Sequence, residues 1–356
     1  MHPDSHRVIA GPADGSARPA DQGTGASGGT APGDQPTEHD DRTVRGQPGQ
    51  IVLGTMLFGT RTGEDVSRRL LDRFLELGGR WLDTADCYAF WAHPDGGYGH
   101  SERLLGRWLA ANPSARQQVR ISTKLRFAPV HPGTWPANAA GLSAEAVHKH
   151  FAESCDRLGI DRVDVLWAHG EDRAVPLEQT VEALGTIAAT GRAGRLGASN
   201  HATWAVERAR RIAVDLGVPG YTMLQRRHTV LTPRPGVSVD DGHTLLTSED
   251  RDYAEACDLD VWVYTPLLNG GYTRPDKPLH QGYGHPGSTR VLDVLTKIAA
   301  ELEASVNQVV LAWLMQGAVA YWPIVGVSRV EQLEEAMQAR ELHLSAEHFS
   351  RIEAAR

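Results

Sequence analysis

Val163-Asp-Val-Leu-Trp-Ala-His169 is an apolar run that stops on an imidazole, and other runs in the chain also stop on a polar residue. Upstream, Arg80-Trp-Leu-Asp83 ends on a carboxylate and Val119-Arg-Ile-Ser-Thr-Lys124 on an ammonium. Downstream, Arg195-Leu-Gly-Ala-Ser199-Asn200, Tyr221-Thr-Met-Leu-Gln225 and Val261-Trp-Val-Tyr264 end on hydroxyl, amide and phenol groups. Asp83, Lys124 and His169 follow one another at steps of 41 and 45 residues, the length of a strand, a helix and their two connections. The runs lack strict apolar and polar alternation, which predicts strands buried on both faces. With Ile51–Met56 at the start and Tyr321–Val325 near the end, they make eight strand candidates. Polar groups placed where strands run out predict a catalytic face assembled from many strand tips, the arrangement of a (β/α)8 TIM barrel. A doubly wound sheet has a similar local pattern, but Gly54-Thr-Met-Leu-Phe-Gly59 is not the GxGxxG turn expected after its first strand.

The segments between these runs carry a helical period. Val66, Leu70, Phe74 and Leu77 share one face, Thr62 and Asp65 have capping-box spacing, and Gly78-Gly79 closes the turn. A second helix begins behind Ser143 and buries Val147, Phe151, Cys155 and Leu158. Others are expected over 101–110, 176–190, 203–217, 248–257, 289–303, 306–316 and 330–338, with 248–257 the faintest pattern.

Residues 1–49 are dominated by Gly, Pro, Ser, Thr and Asp, too poor in apolar clusters to offset the entropy of ordering. They are expected to be a disordered tail ahead of a single barrel over 50–356, a length that supports a large core. The tail has neither the apolar stretch of a secretory signal nor the acid-poor composition of a transit peptide. The 36 Lys and Arg against 44 acids give a net charge of -8 without a long basic stripe, which argues against nucleic acid and anionic membrane as partners. No apolar run approaches the roughly 18 residues of a membrane helix. Cys87, Cys155 and Cys257 lack metal or redox spacing, so a reduced, cytoplasmic location is expected.

Asp83-Thr-Ala-Asp-Cys-Tyr88 sets a carboxylate at a strand end and a phenol one short loop further. A phenol with a pKa near ~10 is a poor proton donor at neutral pH. A cation about 4 Å away is worth on the order of 4 kcal/mol at an effective dielectric of ~20, so Lys124, itself held charged by Asp83, is expected to lower it. His169 is suited to bond the same carbonyl oxygen and orient a substrate. Such a pocket donates a proton to a carbonyl, and the hydride that must accompany it requires a nicotinamide cofactor. Ser199, Asn200 and Gln225 are suited to grip its carboxamide, and Tyr264 offers a flat ring for stacking. Ser328 and Arg329, at the start of a helix, point to a 2′-phosphate and hence to NADPH rather than NADH.

On these residues the chain resembles the aldo-keto reductases. The matching motifs are Gly54-Thr-Met, Asp83-Thr-Ala-Asp-Cys-Tyr88, His100-Ser-Glu-Arg-Leu-Leu-Gly106, Ser122-Thr-Lys124, Arg157-Leu-Gly with Asp161-Arg-Val-Asp164, and Ala168-His169. Gly197-Ala-Ser-Asn200, Gln225, Tyr264-Thr-Pro-Leu267, Leu311-Ala-Trp-Leu314 and Gly326-Val-Ser-Arg329 continue the series in family order. The resemblance implies a (β/α)8 barrel that reduces small aldehydes or ketones, NADPH extended across its mouth, and an Asp, Tyr, Lys, His tetrad at Asp83, Tyr88, Lys124 and His169. It further implies that Gly54, Thr55, Met56, Asp83, Thr265, Pro266, Leu267, Gly270 and Gly326 lie along the cofactor. The family's Pro-Gly is Val325-Gly326 here and its adenine-side Asn is Ala336, leaving Gln332 and Glu335 as the adenine candidates. Between Tyr88 and Ser101 the chain inserts an aromatic loop; its Phe90 and Trp91, with Tyr88, His169 and Trp135, are expected to line the substrate pocket.

Two other readings compete. A metal-dependent hydrolase would draw on His93, His100 and His169, but the first strand has no histidine and these three lack ligand spacing, so no metal site is expected. The alternative within the same fold is a catalytically weak, NADPH-binding regulatory or partner-binding barrel. The substrate itself is not legible from loops of unknown conformation.

Overall fold

The computed structural model describes residues 49–130, 134–239 and 242–356. The expected disordered tail, apart from Gly49, lies outside the described residues. In chain order the elements are β1 (Val52–Gly54), α1 (Glu64–Glu76), β2 (Trp81–Asp83), α2 (His100–Ala111), α3 (Pro113–Gln118), β3 (Arg120–Leu125), α4 (Ala144–Leu158) and β4 (Val163–Ala168). They continue with α5 (Leu177–Ala189), β5 (Ala193–Ser199), α6 (Thr203–Leu216), β6 (Tyr221–Arg227), α7 (Ser248–Ala256), β7 (Asp260–Tyr264), α8 (Pro286–Glu301), α9 (Val306–Gln316), β8 (Trp322–Gly326), α10 (Val330–Gln338) and α11 (Ala346–Ala355). Each strand pairs in parallel with the next, and β1 pairs with β8, so the sheet closes into the expected eight-stranded barrel.

Closure puts every strand between two neighbours and beneath a layer of helices, which is why the runs are buried without alternation. Indoles occupy much of the lumen. The Trp81 and Trp262 rings meet edge to face with centroids 5.3 Å apart, and because β2 and β7 are not adjacent this contact crosses the barrel. Trp322 stacks on Trp262 at 6.1 Å, and Trp167 tilts against Trp262 at 5.4 Å. Such bulk needs a small partner in the same layer. Gly197 pairs with Trp167, and a Cβ there would stand 2.1 Å from the indole.

Helix α1 buries Leu70, Leu71 and Phe74, and α4 buries Val147, Phe151, Cys155 and Leu158, the faces their periods predict. Ser143 caps α4 by accepting from the Ala146 N–H at 3.2 Å. Gly78 takes the left-handed conformation (φ 80°) that ends α1. The capping box at Thr62 does not form. The Thr62 N–H bonds Leu57 O and the residue bridges Phe58, so Gly63 becomes the N-cap without a side-chain bond. Glu64 and Asp65 instead place negative charge in the first turn, where the helix dipole favours it.

The faint 248–257 pattern is a helix, fixed by a capping box between Thr247 and Asp250. Helices α3 and α11 were not among those expected. The first is six residues beginning at Pro113, four of them polar, with Ala115 the one buried residue. The second hides its signal in Ser345, a cap with His348, ahead of Ile352 and Ala355. Among the described residues no single helix is long and apolar enough to cross a membrane.

Candidate active site

Parallel closure carries all eight strand C-termini to one end, and the polar residues quoted above go with them. Asp83 ends β2, Lys124 lies one residue from the end of β3, and His169 follows β4. Lys124 Nζ donates to Asp83 Oδ2 at 2.5 Å and to Thr84 O at 2.8 Å, and stands 3.3 Å from the Tyr88 hydroxyl. Ser122 Oγ holds the other Asp83 oxygen at 2.6 Å, a contact prepared by the Asp83–Ser122 register of β2 and β3. The rings of His169 and Tyr88 meet nearly at right angles with centroids 5.8 Å apart. The four residues therefore converge.

Their electrostatics differ from expectation in one respect. Burial, followed by the Asp83 charge, holds the Tyr88 phenol well above its usual pKa, the reverse of the lowering expected from Lys124. Lys124, whose ammonium is bonded to Asp83 and Thr84 O, does not offset that burial. Tyr88 is thus a neutral O–H at physiological pH. Burial and then Lys124 push His169 well below the ordinary imidazole value, so it is neutral too. Burial and then the Asp86 charge keep the Cys87 thiol protonated, and its Sγ lies 3.9 Å from His169 Nδ1.

An aromatic circuit surrounds this centre. Tyr88 meets Trp91 at 6.2 Å, Trp91 meets Phe90 at 5.1 Å, and Phe90 meets Trp135 at 5.9 Å. Trp135 then meets Phe127 at 5.6 Å, and Phe127 reaches His169 at 5.1 Å, closing the ring on the tetrad. Trp91 and Trp135 remain 45% and 44% exposed, so the circuit opens to solvent. The expected substrate-side residues come together, with Phe127 as an unforeseen member. It lies two residues past the end of β3, beyond the strand-end position that His169 holds after β4.

Further round the mouth, Gln225 on β6 keeps a buried Nε2 without a hydrogen-bond partner, a donor suited to a carboxamide oxygen. Ser199 ends β5 with Asn200 behind it, but neither caps α6, whose N-cap is Ala202. Asn200 is saturated: Nδ2 donates to His169 O and Ser199 Oγ, and Oδ1 accepts from the Thr244 N–H and the Tyr264 hydroxyl. It organises the rim rather than offering free groups. Gly54 ends β1, Met56 is exposed, and Thr55 turns inward to donate to Asp83 O at 3.0 Å. Past β7, Thr265 has φ 57°, Pro266 O accepts from Thr229 Oγ1, and Leu267 leads into a turn where Gly270 has φ 96°.

Gly326 ends β8 at the rim, and Ser328 bonds Gln332 Oε1 through both its N–H and hydroxyl. Arg329 is the N-cap of α10 and joins no ion pair among the described residues, leaving its guanidinium available for a phosphate. Glu335, the other adenine candidate, has partners of its own. Its carboxylate accepts from Ser305 Oγ at 2.6 Å and Asn307 Nδ2 at 3.2 Å, so it ties α10 to the start of α9. The residues present thus fit a nicotinamide dinucleotide at Gln225 and Arg329, with Glu335 otherwise engaged.

Supporting residues that the sequence did not single out are charged groups inside the barrel wall. Arg226 is fully buried, donating to Asp250 Oδ1, His201 O and Ala198 O, and so fixes the Ser199–His201 turn. Glu102 accepts from Thr123 Oγ1 and Arg157 Nε. Asp86 is buried, with its carboxyl pushed up to about 8 by burial and then by Glu102. A charged residue in a sequence normally signals a solvent face, and only packing shows these three, on strand β6, helix α2 and the loop after β2, to be interior.

Comparison with known proteins agrees with this geometry. The family model for the aldo/keto reductases matches residues 50–356. The chain belongs to the aldo/keto reductase family. This aldo/keto reductase is 28% identical to the uncharacterised oxidoreductase YrpG of Bacillus subtilis (strain 168), over 84% of this chain and 89% of that protein. It is 27% identical to an aryl-alcohol dehydrogenase of Pestalotiopsis microspora, over 87% and 79%, and 28% identical to norsolorinic acid reductase B of Aspergillus parasiticus, over 86% and 80%. As a member of this family it is an oxidoreductase acting on small carbonyl compounds with a nicotinamide cofactor.

Proposed function

We propose that the protein is a cytoplasmic, NADPH-dependent reductase of aldehydes or ketones, with Tyr88 as general acid and flat aromatic carbonyl compounds as its preferred substrates. The observation that carries the reading is the convergence of a neutral phenol, an ammonium and a neutral imidazole beneath a solvent-facing circuit of aromatic rings. When bound, NADPH supplies the hydride. The exposed Arg329 at the head of α10 and the unpartnered Gln225 donor support NADPH, and three free cysteines support a reducing compartment.

In this reading the Tyr88 hydroxyl donates its proton to the carbonyl oxygen as negative charge develops there. Lys124, 3.3 Å away, stabilises the phenolate left behind, and Asp83 keeps the ammonium in place. His169, neutral through burial, donates a hydrogen bond to the same oxygen and sets the substrate's orientation. Trp91, Trp135 and Phe127 provide flat apolar faces. The names of the aryl-alcohol dehydrogenase and norsolorinic acid reductase relatives suit an aromatic substrate.

Tyr88→Phe tests the acid role. NADPH oxidation with an aromatic aldehyde should fall by roughly 10²–10⁴ while NADPH still quenches tryptophan fluorescence with unchanged affinity. Equal turnover by the variant would refute the assignment. The wild-type protein binding NADPH yet reducing no carbonyl in a broad panel would favour the regulatory barrel instead.

A further inference from the structure

The inserted loop between Tyr88 and α2 brings together side chains that the reductase chemistry does not use. His93 follows the short turn Phe90–Ala92, and His100 is the first residue of α2. Although seven positions apart, their imidazoles stack with centroids 3.9 Å apart and planes at 18°. Asp95 lies between them in sequence and at their edge in space. Its Oδ1 is 2.7 Å from His93 Nδ1 and 3.1 Å from His100 Nε2. The three donor atoms lie within 4.8 Å of one another.

We infer that His93, Asp95 and His100 form a binding site for a borderline divalent cation of the Zn²⁺ type, separate from the reductase centre. Two imidazoles and one carboxylate are ligands that Zn²⁺ takes, at about 2.0–2.2 Å each. Tetrahedral geometry at those lengths sets ligand atoms about 3.3 Å apart, so the His93–Asp95 contact must open by about 0.6 Å and the stacked rings must turn until both nitrogens aim at one point. Asp95 is anchored by the Gly97 N–H at 2.7 Å, whereas a Cβ at Gly96 would meet nothing within 4 Å. The side chains of His93, Asp95 and His100 are 33%, 56% and 13% exposed, so a cation reaches them from solvent and water completes its shell.

The separation by sequence concealed this site. The expected lack of ligand spacing is a property of the chain; in space His93 and His100 stack on each other, whereas His169 faces Tyr88 and Phe127. A cation here joins the two ends of the insertion. One end continues into Trp91 of the aromatic circuit, and the other is held where the Ser101 N–H bonds Tyr88 O at 3.3 Å.

The test is calorimetric titration of Zn²⁺ into the full chain after chelator stripping and desalting. One equivalent should bind, and Mg²⁺, which prefers oxygen ligands, should not. His93→Ala, His100→Ala and Asp95→Ala should each weaken Zn²⁺ by more than the roughly 10–100-fold that loss of an outer-shell partner costs, with thermal unfolding unchanged because the loop is exposed. Undiminished binding by the His93→Ala/His100→Ala variant would overturn the proposal. So would a thiolate charge-transfer band in the Co²⁺ adduct, which would move the ion to Cys87. None of these readouts depends on turnover, so the site stands or falls separately from the reductase reading.

Discussion

Lys124 and Asp83 form an ion pair in which both side chains are almost wholly removed from water, 0% and 3% exposed, and whose N–O distance is 2.5 Å. It sits at the C-terminal mouth of a barrel in which Trp81, Trp167, Trp262 and Trp322 pack ring against ring. Burial and then the Asp83 charge keep the phenol that the ammonium faces neutral and proton-bearing.

Breaking that pair on one side should destabilise the fold as well as the site. Asp83→Asn or Lys124→Met leaves a buried charge uncompensated, a loss of about 3–5 kcal/mol in buried pairs. The combined variant should lose less than the sum of the two. Urea unfolding of the four proteins measures the coupling, and simple additivity would show the pair to be independent.

Trp91→Ala and Trp135→Ala should act on substrate affinity rather than on proton transfer. For a planar aromatic aldehyde, KM should rise about tenfold per ring, equivalent to ~1.4 kcal/mol, with kcat little altered. For a short aliphatic aldehyde neither value should move. Equal effects on both substrates would mean that the indoles pack the loop and do not contact substrate.

Acid should weaken the fold from pH 6.5 downward. Burial lowers His201 from 6.5 to about 4 and His228 from 6.5 to about 3, so each is neutral when folded and takes up a proton more readily when unfolded. The stability from each is complete above the unfolded value of about 6.5 and is lost as pH falls toward the folded value, about 2 kcal/mol per residue by pH 5. His228 Nε2 has no partner and its ring lies against Tyr321, so His228→Phe should fold and flatten the slope. An unchanged slope in guanidinium melts at pH 5, 6 and 7 would exclude His228 as a source.

Gly197→Ala should destabilise the barrel through its lumen. The added methyl would stand 2.1 Å from the Trp167 indole, and overpacking of this kind costs about 1–3 kcal/mol. Trp167→Phe in the same chain should recover part of that loss. Full stability of Gly197→Ala by thermal unfolding would mean that the indole swings aside freely.

The legible parts of this chain were those governed by local periodicity. Eight buried runs, the faces of α1 and α4 and the polar strand ends were readable because burial on both sides of a strand and on one side of a helix leaves a pattern in consecutive residues. Thr62 was misread as a cap because its backbone is drawn into a bridge with Phe58 that no local pattern announces. Helix α3 has almost no apolar period, and the cap at the start of α11 is easily overlooked.

Chain order and residue type alone placed Asp83, Tyr88, Lys124 and His169 on one rim, since consecutive parallel strands must deliver their ends to the same side. Distance and charge state came only with the fold. Packing decided that Lys124 would bond Asp83 and Thr84 before Tyr88, that Asn200 would be saturated, and that Arg226 would lie inside the wall. It also closed the aromatic circuit through Phe127 and stacked His93 on His100. Periodicity is a property of neighbours along the chain, whereas desolvation and hydrogen-bond competition depend on neighbours in space.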